Sequence, residues 1–257
     1  MTTTVAVAGK GGTGKTTFTA LLIKLLQSRD SGTVLAIDAD PSANLNLALG
    51  VELPDTVGRI REDTQTQVSS GRYDASIPKP DFFEYRVTES LVEGRGVDLL
   101  AMGRPEGPGC YCAANSILRN VIDRLGDQYD WVVIDNEAGM EHISRQTTRD
   151  IDKLFILTDM TMRGLGAAGQ IARLVQDLGS RVRDVYLVIN RVGDAIPTVM
   201  QEEVDRLGLR LIGTLPNDDQ VGAFDAVGRP IVQIGEDSLI FQAVAVIARG
   251  AGVMRDL

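Results

Sequence analysis

The chain has 257 residues, 44% of them apolar and 24% charged, ordinary globular proportions with length for one large core or two small ones. Its net charge of −9 argues against a nucleic-acid partner, which would need a basic face to neutralise phosphates, although a local patch stays open. Two cysteines, two residues apart, make a disulfide framework implausible and point to a reducing cytoplasm, and a single histidine rules out a histidine-rich metal site within one chain. With no signal-peptide pattern and no apolar run of membrane-span length, a cytoplasmic protein without a membrane partner is expected.

In chain order, Thr3–Ala8 reads as a strand and Phe18-Thr19-Ala20-Leu21-Leu22-Ile23 as a helix. Between them lies Gly9-Lys10-Gly11-Gly12-Thr13-Gly14-Lys15-Thr16, followed by Thr17. The spacing G-x-x-x-x-G-K-[ST] lets glycine N–H groups curl around an anion, with Lys15 reaching the β and γ phosphates and the Thr16 hydroxyl ligating Mg²⁺. The helix start adds its dipole to the same site. Lys10 is one of only five lysines against 21 arginines, and two of the five sit in this loop. That second ammonium suggests a further contact in the site or a reach to a neighbouring subunit's nucleotide.

Further short apolar runs follow at Thr33–Asp38, Val97–Met102, Trp131–Asp135, Lys153–Thr158, Asp184–Asn190 and Leu209–Leu215, separated by helical segments such as 117–122. Continuous apolarity, as in Trp131-Val132-Val133-Ile134, suits strands buried on both faces, so a doubly wound, mostly parallel α/β sheet in one domain over residues 1–257 is expected. A final helix is expected over Ser238–Ala248. Residues 52–95, with Pro54, Pro78 and Pro80, read as an irregular insertion with short helices.

Ligands of such sheets sit beyond the carboxyl ends of the strands. The second strand ends in Asp38-Ala39-Asp40, whose alternating carboxylates can face one way; Asp38 is assigned to the Mg²⁺ hydration shell and Asp40 to the attacking water. The fourth ends in Asp135, where phosphate-loop enzymes carry a metal-linked aspartate. Gly139 beyond it can touch a γ-phosphate through its N–H and be released on hydrolysis, with His142 and Arg145 beginning the next helix. Asn190, Arg191 and Pro216 close later strands and are placed to frame a base.

These residues together resemble the deviant Walker A ATPases of the MinD, ParA and nitrogenase iron-protein group, through Lys10-Gly11-Gly12-Thr13-Gly14-Lys15-Thr16. The resemblance implies a phosphate-loop fold and a sandwich homodimer in which Lys10 crosses to the partner's ATP. Asp38 and Asp40 match the first switch, Asp135 to Gly139 the second, and Asn190 with Pro216 the adenine pocket. Where many members carry proline in the second switch, this chain has Asn136-Glu137.

Gly107-Pro108-Gly109-Cys110-Tyr111-Cys112 remains. Thiolates at i and i+2 fill half a soft-metal site, and a twofold dimer would supply the rest for Zn²⁺, Ni²⁺ or an iron–sulfur cluster; two buried thiols packed under a loop are the alternative. With Asp135 to His142, the pair resembles the CooC-type accessory ATPases that serve nickel insertion into carbon monoxide dehydrogenase. That likeness implies Ni²⁺ or Zn²⁺ bridging a homodimer at Cys110 and Cys112, ATP with Mg²⁺ controlling the bridge, and the dehydrogenase or another nickel enzyme as client. An electron-transfer ATPase with a bridging cluster and a positioning ATPase are the two alternatives. The absence of cysteine from 135–142 weighs against the first, and the acidic balance and lack of a lysine-rich terminal helix weigh against the second.

Overall fold

The computed structural model describes residues 2–29, 31–73, 76–103, 124–136, 150–177 and 181–254. Eight strands form one sheet: β1 (Thr3–Gly9), β2 (Val34–Asp38), β3 (Val92–Glu93), β4 (Val97–Ala101), β5 (Trp131–Asp135), β6 (Asp150–Thr158), β7 (Arg181–Val192) and β8 (Leu211–Pro216). Their order is β3-β4-β2-β5-β1-β6-β7-β8, with β1 central. All neighbours run parallel except β3 and β4.

The period-two rule of strands divides the core in two. Val5 and Val7 of β1, Val34 and Ala36 of β2, and Phe155 and Leu157 of β6 face α1 (Lys15–Ser28) and the last helix. Ala6, Ala8, Leu35, Ile37, Leu154 and Ile156 face the opposite layer. Phe155 stacks on Tyr186 at 5.6 Å and meets Phe18 of α1 at 5.3 Å, which ties the first helix to the middle of the sheet. Each fully buried Val, Leu, Ile or Phe contributes about 1.5–3 kcal/mol, so burial on both faces fixes the strand positions from which the site is built.

Beyond the short α2 (Leu45–Leu49), the insertion is more regular than its prolines suggest. It holds α3 (Val57–Ser69), begun by the Thr56 hydroxyl accepting from Arg59 N–H, and α4 (Lys79–Glu89). Val57, Ile60, Phe83 and Val87 bury themselves on the sheet's second face, beside α5 (Met162–Asp177) and α6 (Thr198–Arg206). The short helices expected here are present, and two of them pack on the sheet because four apolar residues fall at helical spacing. After β8 come α7 (Asp219–Ala226) and α8 (Leu239–Gly250). The last helix falls where expected, capped by the Ser238 side chain accepting from Phe241 N–H. The expected helix at 117–122 lies outside the described residues. Among the described residues no helix is long and apolar enough to cross a membrane.

Candidate functional site

The loop from Gly9 to Thr16 joins β1 to α1 at the carboxyl edge of the sheet. Gly12 and Gly14 take φ of 78° and 88°, the left-handed region that glycine adopts without steric cost. The turn is closed by Thr13, whose N–H and hydroxyl both donate to the Lys10 carbonyl, at 3.3 and 2.8 Å. The N-cap residue of α1 is Gly14, which has no side chain to cap the first turn, so among the described residues its N–H groups remain for an anion. Lys15 is buried, its Nζ 3.4 Å from the Lys10 carbonyl, whereas Lys10, Gly11 and Gly12 are exposed.

Two carboxylates stand beside this loop because Asp38 and Asp135 are register partners at the ends of adjacent parallel strands. Both are about 1% exposed. Asp135 accepts from the Thr16 hydroxyl at 2.6 Å and, more weakly, from Thr19 at 3.4 Å. Asp38 accepts from the backbone N–H of Asp40 at 3.0 Å and of Leu45 at 2.8 Å, so in this conformation it shapes the loop after β2. Asp40 lies further out, half-buried, accepting from Ser42 N–H at 2.8 Å. Burial raises the Asp38 carboxyl to about 6, against the hydrogen bonds from Leu45 and Asp40. Burial, with the neighbouring charge of Asp38, raises Asp135 to about 7, against the Thr16 hydrogen bond and the positive charge of Lys15.

Carboxylates crowded around one ammonium suit a divalent cation. Among the described residues no cluster of three His, Cys, Asp or Glu side chains would cage a metal alone. Mg²⁺ does not require one, since it typically takes few protein ligands and fills its shell with phosphate oxygens and water. The Thr16 hydroxyl beside Asp135 is such a partial donor set.

The raised values set a pH dependence for the ligand-free protein. Both groups bind protons more tightly when folded, so their contribution to stability is full below about pH 4 and is lost as pH rises through about 6 and 7. Asp135→Asn is therefore expected to unfold at a higher temperature than the unsubstituted protein at pH 8, by about 2–4 °C for each kcal/mol relieved, with a much smaller gain at about pH 4. Thermal unfolding in chelator at both pH values checks this; no gain at pH 8 would contradict it.

A cleft of about 180 Å³ opens outward from Gly14 and Thr17, lined by Asn190, Arg191, Pro216, Asp218, Gly222 and Asp225. The three residues expected at a base, Asn190, Arg191 and Pro216, therefore meet here. The Asn190 amide is already engaged: Nδ2 donates to the Thr13 carbonyl at 2.8 Å, and Oδ1 accepts from Arg191 N–H at 2.7 Å. It ties the phosphate loop to the cleft, and Arg191 takes φ of 56° beside it.

Sequence reading gave three contributors no structural role of their own. Thr19 sits one turn after Thr16 on α1, and that i, i+3 spacing was the available signal. Asn136 stitches β5 to β1, its N–H and Nδ2 both donating to the Val7 carbonyl at 3.0 and 2.9 Å. Gly222 joins the cleft from α7, and only the tertiary fold brings it there. Cys110, Cys112, Gly139, His142 and Arg145 lie outside the described residues.

A glycine loop between a central parallel strand and an uncapped helix, with a hydroxyl-bonded aspartate at the next strand end, defines a phosphate-loop nucleotide-binding protein. The chain belongs to the CbiA family, the CobQ/CobB/MinD/ParA nucleotide binding domain, whose model matches residues 4–231; it is an ATPase of the MinD/ParA kind. It is 43% identical over 244 residues to an uncharacterized ATP-binding protein of Methanocaldococcus jannaschii, covering 95% of this chain and 96% of that one. It is 32% identical over 237 residues to the carbon monoxide dehydrogenase accessory protein CooC of Rhodospirillum rubrum, covering 87% of each. Among solved structures, the septum site-determining protein MinD of Pyrococcus horikoshii, complexed with Mg-ADP, shares the fold with a TM-score of 0.72 at 23% identity, over 100% of both chains.

Proposed function

We propose that this protein is a Mg²⁺-dependent, homodimeric ATPase of the cytoplasm that assists nickel insertion into carbon monoxide dehydrogenase, its whole chain acting as one domain. The observation that carries the nickel branch is the 32% identity to CooC across 87% of both chains, in a sequence that also holds Cys110 and Cys112.

In this reading the loop N–H groups and Lys15 hold the β and γ phosphates of ATP. Thr16 ligates Mg²⁺, with Asp135 and Asp38 behind it. The cation, when bound, neutralises phosphate charge and so favours attack at phosphorus. Asp40, the most accessible of the three carboxylates, orients the attacking water. Lys10, exposed at the tip of the loop, reaches the nucleotide of the second subunit, so hydrolysis needs the dimer. Gly139 senses the γ-phosphate. Four thiolates, two from each subunit, take Ni²⁺ or Zn²⁺ as cargo at the twofold axis, and opening of the dimer after hydrolysis releases it to the client.

Anaerobic nickel and zinc titration tests the cargo step. One metal per dimer is expected for the unsubstituted protein, with loss of both metal and metal-dependent dimerisation in Cys110→Ala/Cys112→Ala. Metal binding that survives in the double variant, or none in either protein, would sink the nickel assignment and leave an ATPase of the positioning type as the better reading.

A further inference from the structure

Gly222 lies inside α7, where glycine is the least favourable residue after proline. Two common reasons for a helical glycine are absent. Its backbone is not in the left-handed region. An added Cβ would meet no atom of the described residues within 4 Å, so close packing among them does not demand glycine either. What marks the position is its place in the wall of the cleft that leads away from Gly14 and Thr17. Bare helix backbone there leaves width, and a flat ring needs width against the wall it stacks on.

We propose that Gly222 is a specificity-determining residue that sets the width of the slot for the nucleoside part of the nucleotide, a role that rests on the ATPase assignment above. The phosphates are held by the loop and the base by the cleft, so the two ends of the ligand are recognised separately. A side chain at 222 would project into the slot without touching the loop. It should therefore weaken binding of ATP and spare both the reacting phosphate and ligands that lack a nucleoside.

The test compares Gly222→Ala and Gly222→Leu with Gly166→Ala. Gly166 is another helical glycine, in α5, whose added Cβ also meets nothing among the described residues within 4 Å, and it is not among the residues lining this cleft. Calorimetry would measure affinity for ATP and for inorganic tripolyphosphate, and steady-state kinetics would separate KM from kcat. Gly222→Ala is expected to unfold no earlier than the unsubstituted protein without nucleotide, yet to bind ATP about threefold more weakly. Gly222→Leu should lose about tenfold or more in ATP affinity, with kcat at saturation within about twofold and tripolyphosphate binding unchanged. Gly166→Ala should share the thermal gain and keep full affinity.

ATP affinity unchanged in both Gly222 variants, an equal loss in Gly166→Ala, or parallel loss of tripolyphosphate binding would each overturn the assignment. If the folded, unsubstituted protein failed to bind ATP, the ATPase assignment itself would fall instead.

Discussion

Lys15→Ala is expected to lower ATP turnover by about 10²–10³-fold, the usual cost of removing one charged donor aimed at developing negative charge in a dry site. The lysine is buried, and its charge bears on Asp135, which accepts from Thr16. No other lysine or arginine of the loop is buried: Lys10 is exposed. The loss should fall on kcat more than on nucleotide affinity, because the loop N–H groups and the cleft still hold the ligand. Steady-state phosphate release with parallel calorimetry separates the two. Turnover within threefold of the unsubstituted protein would mean that phosphate is activated elsewhere.

Gly9→Ala should be the most damaging single methyl group in the loop. Gly9 closes β1 with φ of 150°, a region closed to L residues, and an added Cβ would lie 2.3 Å from the Leu157 carbonyl of its register partner in β6. Neither backbone can retreat, because β1 is paired on both sides. A cost of about 3 kcal/mol or more is expected, seen as a fall of about 6–12 °C in Tm. Gly12→Ala is the informative comparison. It has the same sign of φ, at 78°, with nothing among the described residues within 4 Å, so backbone strain alone opposes it there and its fall in Tm should be clearly smaller. Equal losses in the two variants would show that the carbonyl contact is unimportant.

Most of the sheet was legible because its strands are buried on both faces and read as apolar runs. Trp131–Asp135 appears with its expected bounds. The departures come where charge interrupts those runs. The sixth strand begins at Asp150 rather than Lys153, and the seventh at Arg181 rather than Asp184. There Asp152 accepts from Thr4 N–H at 2.9 Å, and Lys153 pairs with Asp184 at 3.5 Å, so charges on adjacent strands satisfy one another across the ladder. Hydropathy along one segment does not register a partner on another. β3 escaped notice for a different reason: two residues at an antiparallel edge carry no periodicity.

The phosphate loop was determined by the sequence itself. Its chemistry is local backbone chemistry: glycines that permit positive φ, a lysine and a hydroxyl at set distances along eight consecutive residues, and a helix that begins at once. The acidic centre beside it was decided by tertiary structure. Asp38 and Asp135 become neighbours only through the register of β2 on β5, and burial there moves their carboxyls toward neutrality. The cleft follows the same rule, since Asn190 reaches Thr13 across 177 residues and α7 brings Gly222 to its wall. A motif can be read where its groups are bonded in series, whereas depth, charge environment and the room left by a missing side chain belong to the packing of segments that the chain keeps far apart.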